Sequence, residues 1–61
     1  MTRFNTVELL KLLALMHMNA WRKNQQERVK QLKELFTFSK QNSQSGEVTL
    51  TNEQVQFIYA I

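Results

Sequence analysis

The chain has 61 residues, a formal net charge of +3 and a pI near 9.7. A chain this short holds one domain at most and buries only about 60% of the surface its unfolded form exposes, so a lone monomer is marginal without staples or partners. There is no Cys, which excludes disulfides and thiolate zinc sites and fits a reducing compartment, and the single His excludes an all-histidine metal site.

An apolar fraction of 43% with 21% charged residues is that of a folded domain. The most apolar window, Val7 to Trp21, carries Glu8, Lys11 and His17 and falls short of the ~20 largely apolar residues that span a bilayer. Charges interrupt it and no small-residue cleavage site follows, unlike a signal peptide. The expectation is a soluble cytoplasmic protein with no membrane partner. Oligomerisation is then the remaining route to a core.

Met1 to Asn5 reads as a short lead-in, with Phe4 folding back as a lid over the turn that follows. Asn5 or Thr6 supplies a helix N-cap, and Glu8 falls in the first turn, where a carboxylate meets the positive end of the helix dipole.

From Thr6 to Lys40 the chain has no Gly or Pro and keeps one helical phase. Read as a single helix, its inward positions are Val7, Leu10 and Ala14, then Met18, Trp21 and Gln25, then Val29, Leu32 and Phe36. Each set lies eleven residues after the last. That period corresponds to about 3.67 residues per turn and predicts a straight or slightly right-handed seam. Leu9, Leu13, Met16 and Ala20 widen the apolar arc, while Leu12 and Leu15 project towards the polar side. A helix apolar over more than half its circumference is buried on more than one face, which predicts a homodimer or tetramer.

A second reading competes between Met18 and Gln26. Asn24-Gln25-Gln26-Glu27 has the spacing of a capping box, with Asn24 as N-cap, and Asn19 could end a first helix. That gives a helical hairpin, Thr6 to about Met18 and Asn24 to about Lys40. The absence of a turn-forming Gly or Pro and the unbroken phase favour the continuous helix. Beyond it, Val29, Leu32, Leu35 and Phe36 form a narrower stripe, and Phe38 points away from it towards the C-terminal segment.

Gln41 to Gly46 is a polar linker holding the only Gly, suited to a helix C-cap and a turn. Past it, Glu47 to Ile61 forms a second element. Thr51-Asn52-Glu53-Gln54 makes a capping box, flanked by Leu50 and Val55 at hydrophobic-staple positions. This favours a short helix from Asn52 to the end over a hairpin that would pair Val48 and Leu50 with Val55, Phe57 and Tyr59. The apolar run Phe57-Ile58-Tyr59-Ala60-Ile61 is expected to dock on a further surface. Leu50-Thr51-Asn52-Glu53-Gln54 followed by Phe57-Ile58-Tyr59-Ala60 resembles a segment of the small Hha-type nucleoid-associated regulators. The likeness covers Leu50 to Ala60 alone, and no function is carried over from it.

On the continuous helix Lys11, Arg22, Lys33 and Lys40 share one line with Lys30 beside it, covering roughly 44 Å at ~1.5 Å rise per residue. Such a stripe could track phosphates, while the ordinary reading is a solvated outer face with Glu8, Glu27 and Glu34 on or beside it. His17 has Leu13 and Trp21 one turn away rather than a second ligand, so it reads as a core or interface residue and not a metal ligand. Trp21 reads as the largest core anchor of the seam. There is no Asp, no Gly-rich phosphate loop, and no base near Ser39, Ser43 or Ser45, so nothing assembles an acid–base pair.

These readings predict an all-α protein: a long helix or helical hairpin with a short C-terminal helix, assembled as a homo-oligomeric bundle. The expected function is that of a small non-enzymatic regulatory or adaptor protein, without cofactor or metal. It would contact itself or another protein through Leu10, Leu13, Ala14, His17, Trp21, Val29, Leu32, Phe36, Phe57 and Ile58. Two alternatives are a nucleic-acid-binding protein, using Lys11, Arg22, Lys30, Lys33 and Lys40, and a structural assembly subunit.

Overall fold

A computed structural model describes residues 1–59. The element order is β1 (Thr2–Asn5), α1 (Thr6–Arg22), α2 (Gln26–Gln41), β2 (Glu47–Leu50) and α3 (Asn52–Tyr59). The chain is therefore mostly helical but not all-α: β1 and β2 form a two-stranded antiparallel sheet, with Thr2 opposite Leu50 and Phe4 opposite Val48. Ala60 and Ile61, the last residues of the apolar C-terminal run, lie outside the described residues.

Asn5 ends the first strand and starts the first helix. Its backbone is extended, and its side-chain oxygen accepts from the Glu8 N–H at 3.0 Å, which satisfies one of the open donors of the helix terminus. Glu8 and Arg22 then sit at the ends that suit their charges.

The continuous helix from Thr6 to Lys40 is not formed. Asn24 adopts a left-handed conformation with φ of 61°, the Gln25 N–H bonds back to the Ala20 carbonyl and the Asn24 N–H to that of Trp21. Those two bonds make a Schellman stop, which needs a left-handed residue at its turn. Asn is the commonest residue after Gly to adopt that conformation, so the chain reverses without Gly or Pro. The capping box expected at Asn24 is absent: Gln25 occupies the N-cap of α2, and its side chain makes no cap bond. The result is an antiparallel helical hairpin.

The core is built from Leu9, Leu13, Met16 and Ala20 of α1 against Leu32 and Leu35 of α2, closed by Val48, Leu50 and Ile58. This corrects the inward seam. The positions that were to flank it face the core, while Val7, Met18 and Trp21 are 60%, 55% and 71% exposed. The α1 sequence carries two apolar stripes, and the one that meets α2, the sheet and α3 is the stripe of Leu9, Leu13, Met16 and Ala20. Ser39 is fully buried, with no hydrogen-bond partner for its hydroxyl among the described residues.

After α2 the chain turns through Ser45 and Gly46, both at positive φ, while Gln44 and Glu47 exchange backbone hydrogen bonds of 2.7 and 2.9 Å. Two consecutive left-handed residues define a type I′ turn, and this twist feeds directly into a strand. Along β2 Val48 and Leu50 point inward and Glu47 and Thr49 outward, the alternation of a half-buried strand. Its partner is the N-terminal lead-in and not residues 55–59, because a helix begins immediately after Leu50. The Thr51 hydroxyl accepts from the Gln54 N–H at 3.2 Å, and the Gln54 carboxamide accepts from the Thr51 N–H at 2.8 Å. This reciprocal pair is the capping box, and buried Leu50 and half-buried Val55 complete the staple. Phe4, rather than forming a lid, takes its place in β1 and packs against the core margin. A two-stranded sheet is marginal alone, so its stability here comes from the helices beneath it.

Candidate interaction surface

The reversal at Asn24 has a consequence for the eleven-residue seam. Its first half runs out along α1 and its second half returns along α2, so the two halves lie side by side. Ala14 and Met18 from one helix and Leu32 and Phe36 from the other line a groove of about 410 Å³, with Leu13 in its floor and His17 and Lys33 at its edges. Towards the hairpin turn, Trp21, Gln25 and Val29 line the next depression, together with Lys30 and Lys33. His17, Met18, Trp21 and Arg22 frame a third. Together these form one open, largely apolar face. Val7 and half-buried Leu10 extend its apolar strip towards the start of α1.

The expected contact residues divide between this face and the interior. Leu13, Leu32 and Ile58 are buried in the chain's own core, and Val29, Phe36 and Phe57 pack on its margin. Leu10 and His17 are half-buried, and Ala14 and Trp21 are exposed on the open side. Phe57 is on a different part of the molecule, where the Arg28 guanidinium stands 4.8 Å from its ring centroid. Trp21 is not a core anchor of the folded chain, because its indole is mostly in water.

The basic residues are rearranged by the same reversal. A 44 Å line of cations cannot exist on a molecule whose longest extent is 34 Å. Lys11 and Arg22 stay on α1 while Lys30, Lys33 and Lys40 stand on the antiparallel α2, so the stripe becomes two borders of the apolar face. Lys33 and Arg22 line its depressions directly, and the Lys40 ammonium is 6.0 Å from the Phe36 ring centroid. Lys11 is one helical turn from both Val7 and Ala14. Among the described residues the one salt bridge is between Arg3 and Glu47, 3.7 Å apart at the sheet, so none of the five bordering cations is paired with another described residue. No acidic residue lines the three depressions; Glu34 lies beyond Lys33, on the Phe38 side of α2.

Val7, Met18 and the solvent-facing Leu15 were part of the sequence pattern but not of the expected contact set. Their signal was present in the width of the α1 arc. What was missing was the choice between its two stripes, which only the packing of α2 and the sheet determines. Among the described residues, no three His, Cys, Asp or Glu side chains converge as a metal site, and no helix is long and apolar enough to cross a membrane. Comparison with protein-family models, with curated proteins and with solved structures gives no match.

Proposed function

We propose that this chain is a small non-enzymatic regulatory or adaptor protein that acts by protein–protein contact through the open face of the α1–α2 hairpin. The observation that carries this reading is the exposure of Trp21, Met18 and Val7 together on one side of one helix. Monomeric proteins rarely leave contiguous apolar patches uncovered, and large exposed patches mark sites of contact. Trp is also the residue most enriched at energetic centres of interfaces. The expected homodimer or tetramer would have to use this same face, where the cations of two copies would oppose one another, so a partner of opposite charge fits it better.

Met18→Glu and Trp21→Glu test the reading. Both side chains are exposed, so the fold is expected to persist while binding of an amphipathic helical peptide to this face is lost. A second reading, binding of nucleic acid, draws support from the five cations that have no ion-pair partner among the described residues. It predicts that a labelled DNA duplex co-sediments at low salt and is released as salt rises. Association that survives Trp21→Glu but disappears in Arg22→Glu and Lys33→Glu would assign the surface to phosphates instead.

A further inference from the structure

Taking the open face as a contact surface, we infer that its occupant is an acidic amphipathic helix of another protein. Its apolar stripe lies between α1 and α2, and its carboxylates meet Arg22, Lys33 and Lys40.

Shape is the first ground. Buried Leu13 and Leu32 form a floor, and Ala14, Met18 and Phe36 rise beside it, so the surface is a trough between two antiparallel helices. A trough of this kind receives a row of side chains spaced at i, i+3, i+4 and i+7, the helix-in-groove mode of recognition. A lipid surface would meet such a trough only along its edges.

Charge is the second. Cations border the trough on both helices, and among the described residues no carboxylate lines it and none of those cations is paired. A second copy would bring the same cations face to face, and like charges across an interface disfavour that pairing. Nucleic acid would satisfy the cations but leave Met18, Trp21 and Phe36 without apolar cover. An acidic amphipathic helix satisfies both halves of the surface.

The probe is a synthetic amphipathic peptide of about eighteen residues, long enough to hold helix on docking. Leu forms its apolar stripe, and Glu flanks the stripe. Its control carries Lys at every Glu position. Binding is followed by Trp21 fluorescence and by amide shifts along α1 and α2. The Glu peptide is expected to bind at least about tenfold more tightly than the Lys peptide and to weaken with added salt. In the double variant Lys33→Glu, Lys40→Glu, both positions being exposed, the preference is expected to reverse.

Equal binding of the two peptides would overturn the acidic partner while leaving the face as a contact surface. Binding of neither, together with an association unaffected by Trp21→Glu, would overturn both. A discrete oligomer that excludes the Glu peptide and falls apart in Trp21→Glu would place a second copy in the trough. Binding of duplex DNA or of phosphatidylserine vesicles, with neither peptide bound, would likewise overturn the acidic helix.

Discussion

Ala20 and Trp21 are adjacent on α1, yet Ala20 is 2% exposed and Trp21 is 71% exposed. One residue, about 100° of helical rotation, separates the packed stripe from the open one. The packing of the fold and the contacts proposed for the protein thereby fall to different side chains of the same helix.

Trp21→Ala should therefore change the stability of the monomer by no more than about 0.5 kcal/mol, as surface substitutions do. Leu13→Ala, on the buried stripe, should cost about 2–5 kcal/mol, enough to unfold a domain this small. Denaturant titration of the two variants at a concentration where the protein is monomeric measures the contrast. Equal losses would mean that both stripes are packed in the free chain.

Asn24 holds the hairpin turn in a left-handed conformation. Asn24→Ala should destabilise by about 1–2 kcal/mol, the usual cost of that conformation for a side chain with a Cβ and no local hydrogen bond. Asn24→Gly should be neutral or stabilising, because Gly adopts it freely. The order of thermal midpoints, Gly at or above Asn and Asn above Ala, checks this. The reverse order would mean that the chain continues helically through residue 24.

Ser39 is buried, and its hydroxyl has no hydrogen-bond partner among the described residues. Removing a buried hydroxyl that makes no hydrogen bond relieves a desolvation cost of about 1–3 kcal/mol, so Ser39→Ala should raise stability. For a domain of this size, each 1 kcal/mol corresponds to a rise of roughly 4–8 °C in Tm. Calorimetry showing a lowered midpoint would reveal a hydrogen bond at Ser39 in solution.

The capping box fixes where β2 stops and α3 starts. Thr51→Ala removes the acceptor for the Gln54 N–H and should cost about 1 kcal/mol. The loss should appear first as fraying of α3, seen as faster amide exchange at Gln54 and Val55 than at Leu9 or Leu13. Uniform exchange throughout would show that α3 opens only with the whole domain.

The parts of the fold legible in the sequence were those set by neighbours in the chain. Thr51 and Gln54 announce their helix because both halves of the capping box lie within one turn. The Schellman stop is also local, but Asn24 suits two opposite roles: starting a helix with its side chain or ending one with its backbone. The unbroken seam phase across it argued for neither. The first strand was out of reach because Thr2-Arg3-Phe4-Asn5 has no alternation of its own and takes its conformation from Val48 and Leu50 at the far end of the chain. The apolar spacing of the seam was legible, although the seam does not run along one helix, since the chain reverses at Asn24. Its direction was not, because Leu9, Leu13, Met16 and Ala20 form an equally apolar stripe, and only the helices, sheet and α3 packed on them decide which one is buried. Of the candidate surface, the residue types and spacing were visible; that its two halves fold together into one trough with cations on both borders depends on the reversal at Asn24.

Accessibility of the single Trp tests most directly whether the α1–α2 face is open to a partner. The measurement is acrylamide quenching of Trp21 fluorescence in the folded protein, at a dilution where sedimentation gives the mass of one chain. Quenching close to that of free indole is the expected result. A Trp21 strongly protected in the folded monomer would contradict it, placing the seam in the core and leaving no apolar face for a partner to cover.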